Sequence, residues 1–363
     1  MNRPTFVEID LKALDFNLKS LKSSVHSAKF FPVVKADAYG HGIDKITKHI
    51  QSKVDGFCVA TSEEAINLRS KSKKPILDLE GPYDLADMKA LLKNDIEFVI
   101  HSSRQLNFLK QINNKVKINV FGRLSNVLIR DGGISGVTIL IPPSFSEIEI
   151  HRNNKITLSS GMLDKNVSKL AFDNNLGGFE FLSGIPGNIG GAIAMNAGCY
   201  GSEIKDIVEE VLILERDGEL KSYNNKEMKF SYRKSVIKKD QIIIEATFQG
   251  RYENKLDIKE KIDAVISSKE ESQPSKVATG GSTFKNPKDV KAWELINSSG
   301  LSGYKIGGAM ISPIHNNFFI NTGNASAKDF EKLGEFVIHE VEKHHGIRLE
   351  WEIHLIGDSI DEI

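Results

Sequence analysis

The chain has 363 residues, and 48 Lys plus Arg balance 48 Asp plus Glu, so its formal charge is zero. That balance gives no basic footprint for nucleic acid or for insertion at a membrane, and the length exceeds one ordinary core, which predicts two or three domains. The two cysteines, Cys58 and Cys199, lack metal-ligand spacing and suit a reducing compartment, while the opening MNRPTFVEID carries no signal-peptide pattern and no apolar run approaches a membrane span; a cytoplasmic protein without a metal is expected.

Residues 6 to about 120 alternate apolar strand-like runs, FVEID, FFPVVK, GFCVA, PILDLEG and EFVIH, with helical stretches. Leu11, Leu14, Leu18, Leu21 and Val25 recur at helical spacing, and Thr61 with Glu64 reads as a capping box opening the helix that holds Ile66 and Leu68. Alternating β and α predicts a parallel sheet or barrel, with functional residues at the carboxyl ends of strands. Lys35, in PVVKADAYGHG, is expected at such an end. It reads as a snorkelling surface amine or as an amine kept partly desolvated for a Schiff base.

From about residue 118 the style changes. KINVFGRLSNVLIRDGGISGVTILI has short strand-like runs broken by glycine pairs. GIPGNIGGAIAMNAGCYG, residues 184–201, sets glycines at 184, 187, 190 and 191, which allow close backbone approach. The run after them is expected to start a helix whose free amides and dipole favour an anion, a pyrophosphate above all. The spacing is not GxGxxG, so a Rossmann domain is not indicated. RYENKLD, 250–256, is a polar bridge and a plausible domain seam; residues 257–272 and 325–345 follow as helices, the second with Phe330, Leu333, Phe336, Val337 and Val341 on one face. SYRKS, GGSTFKNP, SGLSGYKIGGAMISPIHNNFFIN and GIRLEWEIHLIG are each weak alone. Arg233 suits a surface ion pair, Ser282 a turn, Glu352 a solvent-facing strand position and His315 a satisfied loop residue.

In their order these segments carry two resemblances. RPTFVEIDLKAL, PVVKADAYGHG, GFCVATSEEAINLR and PILDLEG resemble the amino-terminal half of alanine racemase over about residues 3–115. That resemblance implies pyridoxal phosphate (PLP) on Lys35, with Tyr39 nearby. The later racemase motifs, including the tyrosine that serves as second base, are missing. Racemisation needs two bases on opposite faces of the cofactor, so no racemase activity is expected.

Residues from about 118 to 358 resemble UDP-N-acetylenolpyruvoylglucosamine reductase, the flavoenzyme of peptidoglycan precursor synthesis, through the GxGSN-plus-DGG loop, GIPGxxGGAxxMNAGxYG, SYRxS, GS(T/F)FKNP and a terminal LExEVxxIG. The resemblance implies FAD, NADPH and a UDP-sugar substrate. Position by position it implies catalytic roles for Arg233, Ser282 and Glu352, and substrate contacts for Tyr232, Asn286, His315 and Asn317. The implied cofactor contacts are Gly122, Ser125, Asn126, Gly184, Pro186, Gly187, Asn188, Gly190 and Gly191, with Asn188 nearest the pyrophosphate. The family's GxGSN loop reads GRLSN here, and a Cβ at Leu124 is expected to clash or to force a different turn. The family's first flavin-domain segment is replaced by racemase-like sequence.

The expected architecture is a partial parallel β/α half-barrel over 1–115, an FAD-binding α+β domain over 116–250, truncated at its amino terminus, and a substrate-binding α+β domain over 251–363. The leading function is a flavin-dependent reductase. The alternatives are a PLP-binding racemase-like protein and an inactive fusion remnant. Oligomeric state is not readable from the sequence.

Overall fold

The computed structural model describes residues 7–25, 29–109, 111–112, 117–275 and 277–359. The chain divides into two compact units, Met1–Ile118 with Gly136–Ile139, and Asn119–Ser135 with Leu140–Ile363. Among the described residues no helix is long and apolar enough to cross a membrane.

In the first unit three short strands, Phe57–Val59, Ile76–Asp78 and Glu97–Phe98, form a parallel sheet in that order. Phe57 lies opposite Ile76, and Leu77 opposite Glu97. The crossovers are helices Ser62–Arg69 and Leu85–Lys93, each opened by a side-chain cap: Thr61 Oγ1 accepts from the Glu64 N–H, and Asp84 from the Asp87 N–H. Phe57, Val59, Ile76, Met88 and Leu91 are completely buried, each contributing roughly 2–3 kcal/mol of apolar burial. The parallel βα pattern expected from sequence is therefore present.

Two local expectations are corrected. Phe6, at the head of FVEID, lies outside the described residues, and residues 7–10 form no strand; FFPVVK contributes a single parallel bridge, Val33 to Cys58. Lys35 does not close a strand but opens a short helical turn, Lys35–Tyr39, in which Ala36, Asp37, Ala38 and Tyr39 have φ of 49–55°. Left-handed residues cost roughly 1–2 kcal/mol each. The offset comes from hydrogen bonds: the Ala36 N–H donates to Glu64 Oε1 at 2.7 Å, the Ile43 N–H to Asp37 Oδ1 at 2.7 Å, and the Gly40 and Gly42 N–H groups to the Ala36 and Asp37 carbonyls. Glu64 does not return to Thr61 as a capping box would; its second oxygen accepts from Ala60 instead.

The second unit begins with a five-stranded antiparallel sheet in the order Leu220–Asn224, Val208–Leu214, Ile242–Gln249, Lys155–Ser159 and Ile148–Ile150. Ile156, Leu158, Val211 and Phe248 form its buried core with residues of helices Asp164–Asp173 and Ile189–Ala194. Helix Lys255–Ser272 starts inside the expected polar seam, capped by Asn254. A four-stranded antiparallel sheet follows, in the order Ala278–Ser282, Phe318–Asn321, Ala309–Ile311 and Lys305–Ile306. Helix Ala327–His345 buries Leu333, Val337 and Val341, as its periodicity predicts, between a Ser326 capping box and Gly346 in the left-handed C-cap conformation. Gly334 makes room for Trp351, since a Cβ there would lie 2.0 Å from the indole. Finally His354–Ile356 pairs in parallel with Val127–Ile129.

Candidate active site

The strand carrying Ser282 does not end at that residue's neighbour. Thr283 accepts the Glu352 N–H at 2.8 Å, Phe284 bridges Trp351, and the Lys285 N–H donates to the Glu350 carbonyl at 2.8 Å. Residues 282–285 and 350–353 thus run side by side, so Ser282 and Glu352 lie on paired segments although seventy positions separate them. Ser282 is half-buried, and no hydrogen bond occupies its hydroxyl among the described residues.

SYRKS forms a tight turn closed by reciprocal backbone hydrogen bonds between Ser231 and Lys234. Arg233 sits in it at φ 55°, a left-handed conformation that a non-glycine residue adopts only where surrounding structure imposes it. The turn aims the guanidinium inward. Its Nε donates to Glu352 Oε1 at 2.8 Å and its Nη2 to the Gly198 carbonyl at 3.0 Å, while the exposed Tyr232 ring lies 5.0 Å away as a cation–π partner. The Arg233 and Glu352 side chains are 18% and 12% exposed. Burial raises the Glu352 proton affinity above the ordinary carboxylate range against the opposing pull of Arg233 and Lys285. Burial also works to lower the Arg233 value, but the Glu352 charge and hydrogen bond overcome it and hold the arginine firmly cationic.

The residues expected at the substrate occupy different settings. Asn317 is buried, and its amide is committed to the protein: the Phe284 N–H donates to Oδ1 at 2.9 Å and Nδ2 donates to the Phe284 carbonyl at 2.7 Å. Asn286 is exposed, its Oδ1 accepting the Ala292 N–H. His315 is half-buried between Trp293 and Phe318, and burial depresses its pKa so that the ring is neutral.

The two glycine loops also meet. A Cβ on Gly122 would fall 2.0 Å from Asn188 Oδ1. Asn188 is buried and donates from Nδ2 to the Ser160 carbonyl, so it clamps the loops together. Gly190 passes 2.9 Å, measured to its missing Cβ, from Ser160, and Gly184 3.0 Å from Val265 and 3.2 Å from Cys199. Gly191 and Pro186 are exposed. The expectation of free amides at the start of helix Ile189–Ala194 is corrected: the Ile189 and Gly190 N–H groups already donate to the Met162 and Ser160 carbonyls. At Leu124 the side chain is exposed and the backbone is strained. It keeps the left-handed conformation of a glycine, at φ 57°. Asn126 bridges from this loop to the Glu352 segment, donating from Nδ2 to the Glu352 carbonyl at 3.0 Å.

One residue escaped the sequence reading. Asp164 is fully buried, with both carboxylate oxygens lacking a hydrogen-bond partner. A Cβ on Gly187 would sit 2.8 Å from its Oδ2 and 3.4 Å from Ser125 Oγ, so only a glycine lets the two loops approach this closely, with polar groups beside the bare backbone. Glycine-rich backbone of this kind, with the Ser125 hydroxyl beside it, suits close approach by a diphosphate.

In the first unit, Lys35 is half-buried and Tyr39 is exposed. The cavity of about 430 Å³ in this region is lined by Asp37, His41, Asp44, Asn67 and Lys71 among others, and Lys35 is not one of its lining residues. Both cysteines are free. Among the described residues no cluster of ligating side chains could hold a metal.

Comparison with known proteins gives three family matches: the amino-terminal domain of alanine racemase over residues 9–122, an FAD binding domain over 103–224, and the carboxyl-terminal domain of UDP-N-acetylenolpyruvoylglucosamine reductase over 273–356. The reductase of Rickettsia typhi is 43% identical over 77% of this chain and 88% of its own length. That of Rickettsia conorii is 46% identical over 69% and 84%. The crystal structure of the Thermus caldophilus reductase superposes with a TM-score of 0.62 at 30% identity, covering 71% of this chain and 91% of its own.

Proposed function

The chain belongs to the UDP-N-acetylenolpyruvoylglucosamine reductase family, and we propose that Arg233, Glu352 and Ser282 are the groups with which it performs the family's reaction. It is an NADPH-dependent flavoprotein oxidoreductase that reduces UDP-N-acetylenolpyruvoylglucosamine to UDP-N-acetylmuramate for peptidoglycan synthesis, with a racemase-like segment fused ahead of it. The observation that carries the residue assignment is the buried Arg233–Glu352 pair set against the strand that bears Ser282.

The Ser125 and Gly187 loops, clamped by Asn188, would hold FAD by its diphosphate. When bound, FAD takes hydride from NADPH and supplies it to the enolpyruvyl double bond. As hydride arrives at the terminal carbon, negative charge grows on the adjacent carbon and its carboxylate. That charge needs a fixed cation in a site of low polarity. Arg233 provides one, and Glu352 fixes the plane of its guanidinium so that the remaining N–H edge meets the carboxylate as a fork. Ser282 then gives its hydroxyl proton to the adjacent carbon and regains one from solvent. A serine is a weak acid, but the enolate-like species is a strong base, and the hydroxyl has no competing partner. To the substrate we assign His315, neutral, with Tyr232 and Asn286, on the family resemblance. A nucleotide-sugar substrate suits a cytoplasmic location.

The test is direct. Purified protein supplied with FAD should oxidise NADPH only when UDP-N-acetylenolpyruvoylglucosamine is added, and the product should be heavier by two hydrogens. Protein that takes up no FAD, or that leaves NADPH unconsumed with that substrate, overturns the reading.

A further inference from the structure

The turn that carries Arg233 is left-handed at that residue, and its other members Ser231, Tyr232 and Lys234 are exposed, so the direction of the guanidinium depends on an anchor beneath the turn. Helix Ile189–Ala194 ends in that anchor. Its C-cap is Met195, and the next residue, Asn196, is left-handed at φ 42°. The Ala197 N–H donates to the Ala192 carbonyl and the Asn196 N–H to the Ile193 carbonyl, which is the Schellman ending of a helix. Glycine is the usual residue at this position and asparagine the occasional one. What sets Asn196 apart is its side chain, which is completely buried with both polar atoms engaged. Nδ2 donates to the Ser231 carbonyl at 3.0 Å and to Glu203 Oε2 at 2.9 Å, and Oδ1 accepts the Lys205 N–H at 3.0 Å. Ser231 is also the residue whose backbone closes the turn against Lys234, so the amide grips the turn at its closing pair. On the far side of Arg233, Ser235 Oγ donates to the Ala194 carbonyl at 2.8 Å, and Arg233 Nη2 itself donates to the Gly198 carbonyl. Residues 194–198 therefore hold the turn before, at and after the arginine.

We propose that Asn196 is a positioning residue for the reduction step, holding the Ser231–Lys234 turn so that the Arg233 guanidinium meets the substrate carboxylate. The inference rests on the assignment of Arg233 to that carboxylate. Ser231 and Lys205 are exposed and Glu203 is half-buried, so water can satisfy these partners once the amide is gone, and what the protein loses is alignment. A misplacement of about 1 Å can cost about 10²-fold in rate, and the remaining bonds of Arg233 to Glu352 and Gly198 hold the loss to about tenfold.

Stopped-flow measurement of the two half-reactions of the FAD-loaded protein tests this. Asn196→Gly keeps the helix ending and deletes the amide, so reoxidation of reduced flavin by the UDP-sugar should slow about tenfold while reduction by NADPH is unchanged. In an Arg233→Lys background the same substitution should cost less than about twofold, because the amide acts through the guanidinium. Reoxidation at the unaltered rate in Asn196→Gly, equal slowing of both half-reactions, or the same loss in both backgrounds each overturns the proposal. Should the glycine variant not fold, Asn196→Asp, which keeps the shape and the acceptor but lacks the amide donors, is held to the same pattern and the same grounds for rejection. An Arg233→Lys protein that reoxidises at the unaltered rate removes the assignment of Arg233 itself, a failure distinct from an Asn196 variant without effect.

Discussion

Glu352 Oε1 accepts the Nε–H of Arg233 at 2.8 Å while the backbone N–H of the same glutamate donates to Thr283, the neighbour of Ser282. One residue therefore orients the cation and ties it to the segment that bears Ser282. The pair is buried and hydrogen-bonded, so its geometry is held by more than Coulomb attraction.

Arg233→Lys keeps the charge but removes the planar fork and the bond to Glu352. Turnover should fall by about 10²–10³-fold, the usual effect of losing one aligned donor to developing negative charge. Rapid mixing with NADPH alone should show flavin reduction unchanged. A matching loss in that half-reaction would move Arg233 away from the substrate carboxylate.

Ser282→Ala removes only a hydroxyl. Reoxidation of reduced flavin by the UDP-sugar should slow by about 10²–10⁴-fold, within the range of general acid catalysis, while reduction by NADPH persists. Stopped-flow absorbance separates the two steps, and equal slowing of both would give the serine a different role.

Asn317→Ala leaves the Phe284 N–H and carbonyl without partners in a buried strand. Denaturant unfolding should register a loss of about 2–4 kcal/mol. An unchanged midpoint combined with a raised KM would instead place the Asn317 amide on the substrate.

Leu124→Gly should relieve a left-handed backbone conformation that costs a leucine roughly 1–2 kcal/mol, less the entropy that glycine loses on folding. The net gain is up to about 1 kcal/mol in the loop proposed to hold FAD, readable as tighter flavin retention. Weaker retention would show that the leucine side chain contributes contacts of its own.

The legible parts of the sequence were those in which a side chain must stand in a fixed order with its neighbours. SYRKS, GGSTFKNP and the terminal EWEIHLIG named Arg233, Ser282 and Glu352, and the fold brings the Arg233 turn to Glu352 and the Glu352 segment beside the strand that bears Ser282. Periodicity likewise named the buried face of helix Ala327–His345. The glycines were harder. A bare backbone serves a ligand and a protein neighbour alike, and spacing does not say that Gly122 yields to Asn188 or Gly190 to Ser160. Asp164 was invisible for a related reason: an acid in the first turn of a helix is ordinary, and its burial arises from Gly187, more than twenty residues later. The left-handed turn after Lys35 depends on Glu64, again a partner that no local pattern reveals.

The parallel pairing of His354–Ile356 with Val127–Ile129 has a consequence for biosynthesis. The strand beside the flavin loop must wait for more than two hundred further residues to leave the ribosome, on the order of ten to forty seconds at ordinary elongation rates. Until then its edge is unpaired and Glu352 does not yet exist, so the protein becomes an enzyme late in translation and all at once. A nascent chain stalled before residue 350 would display an open strand edge to chaperones instead of a half-built catalyst.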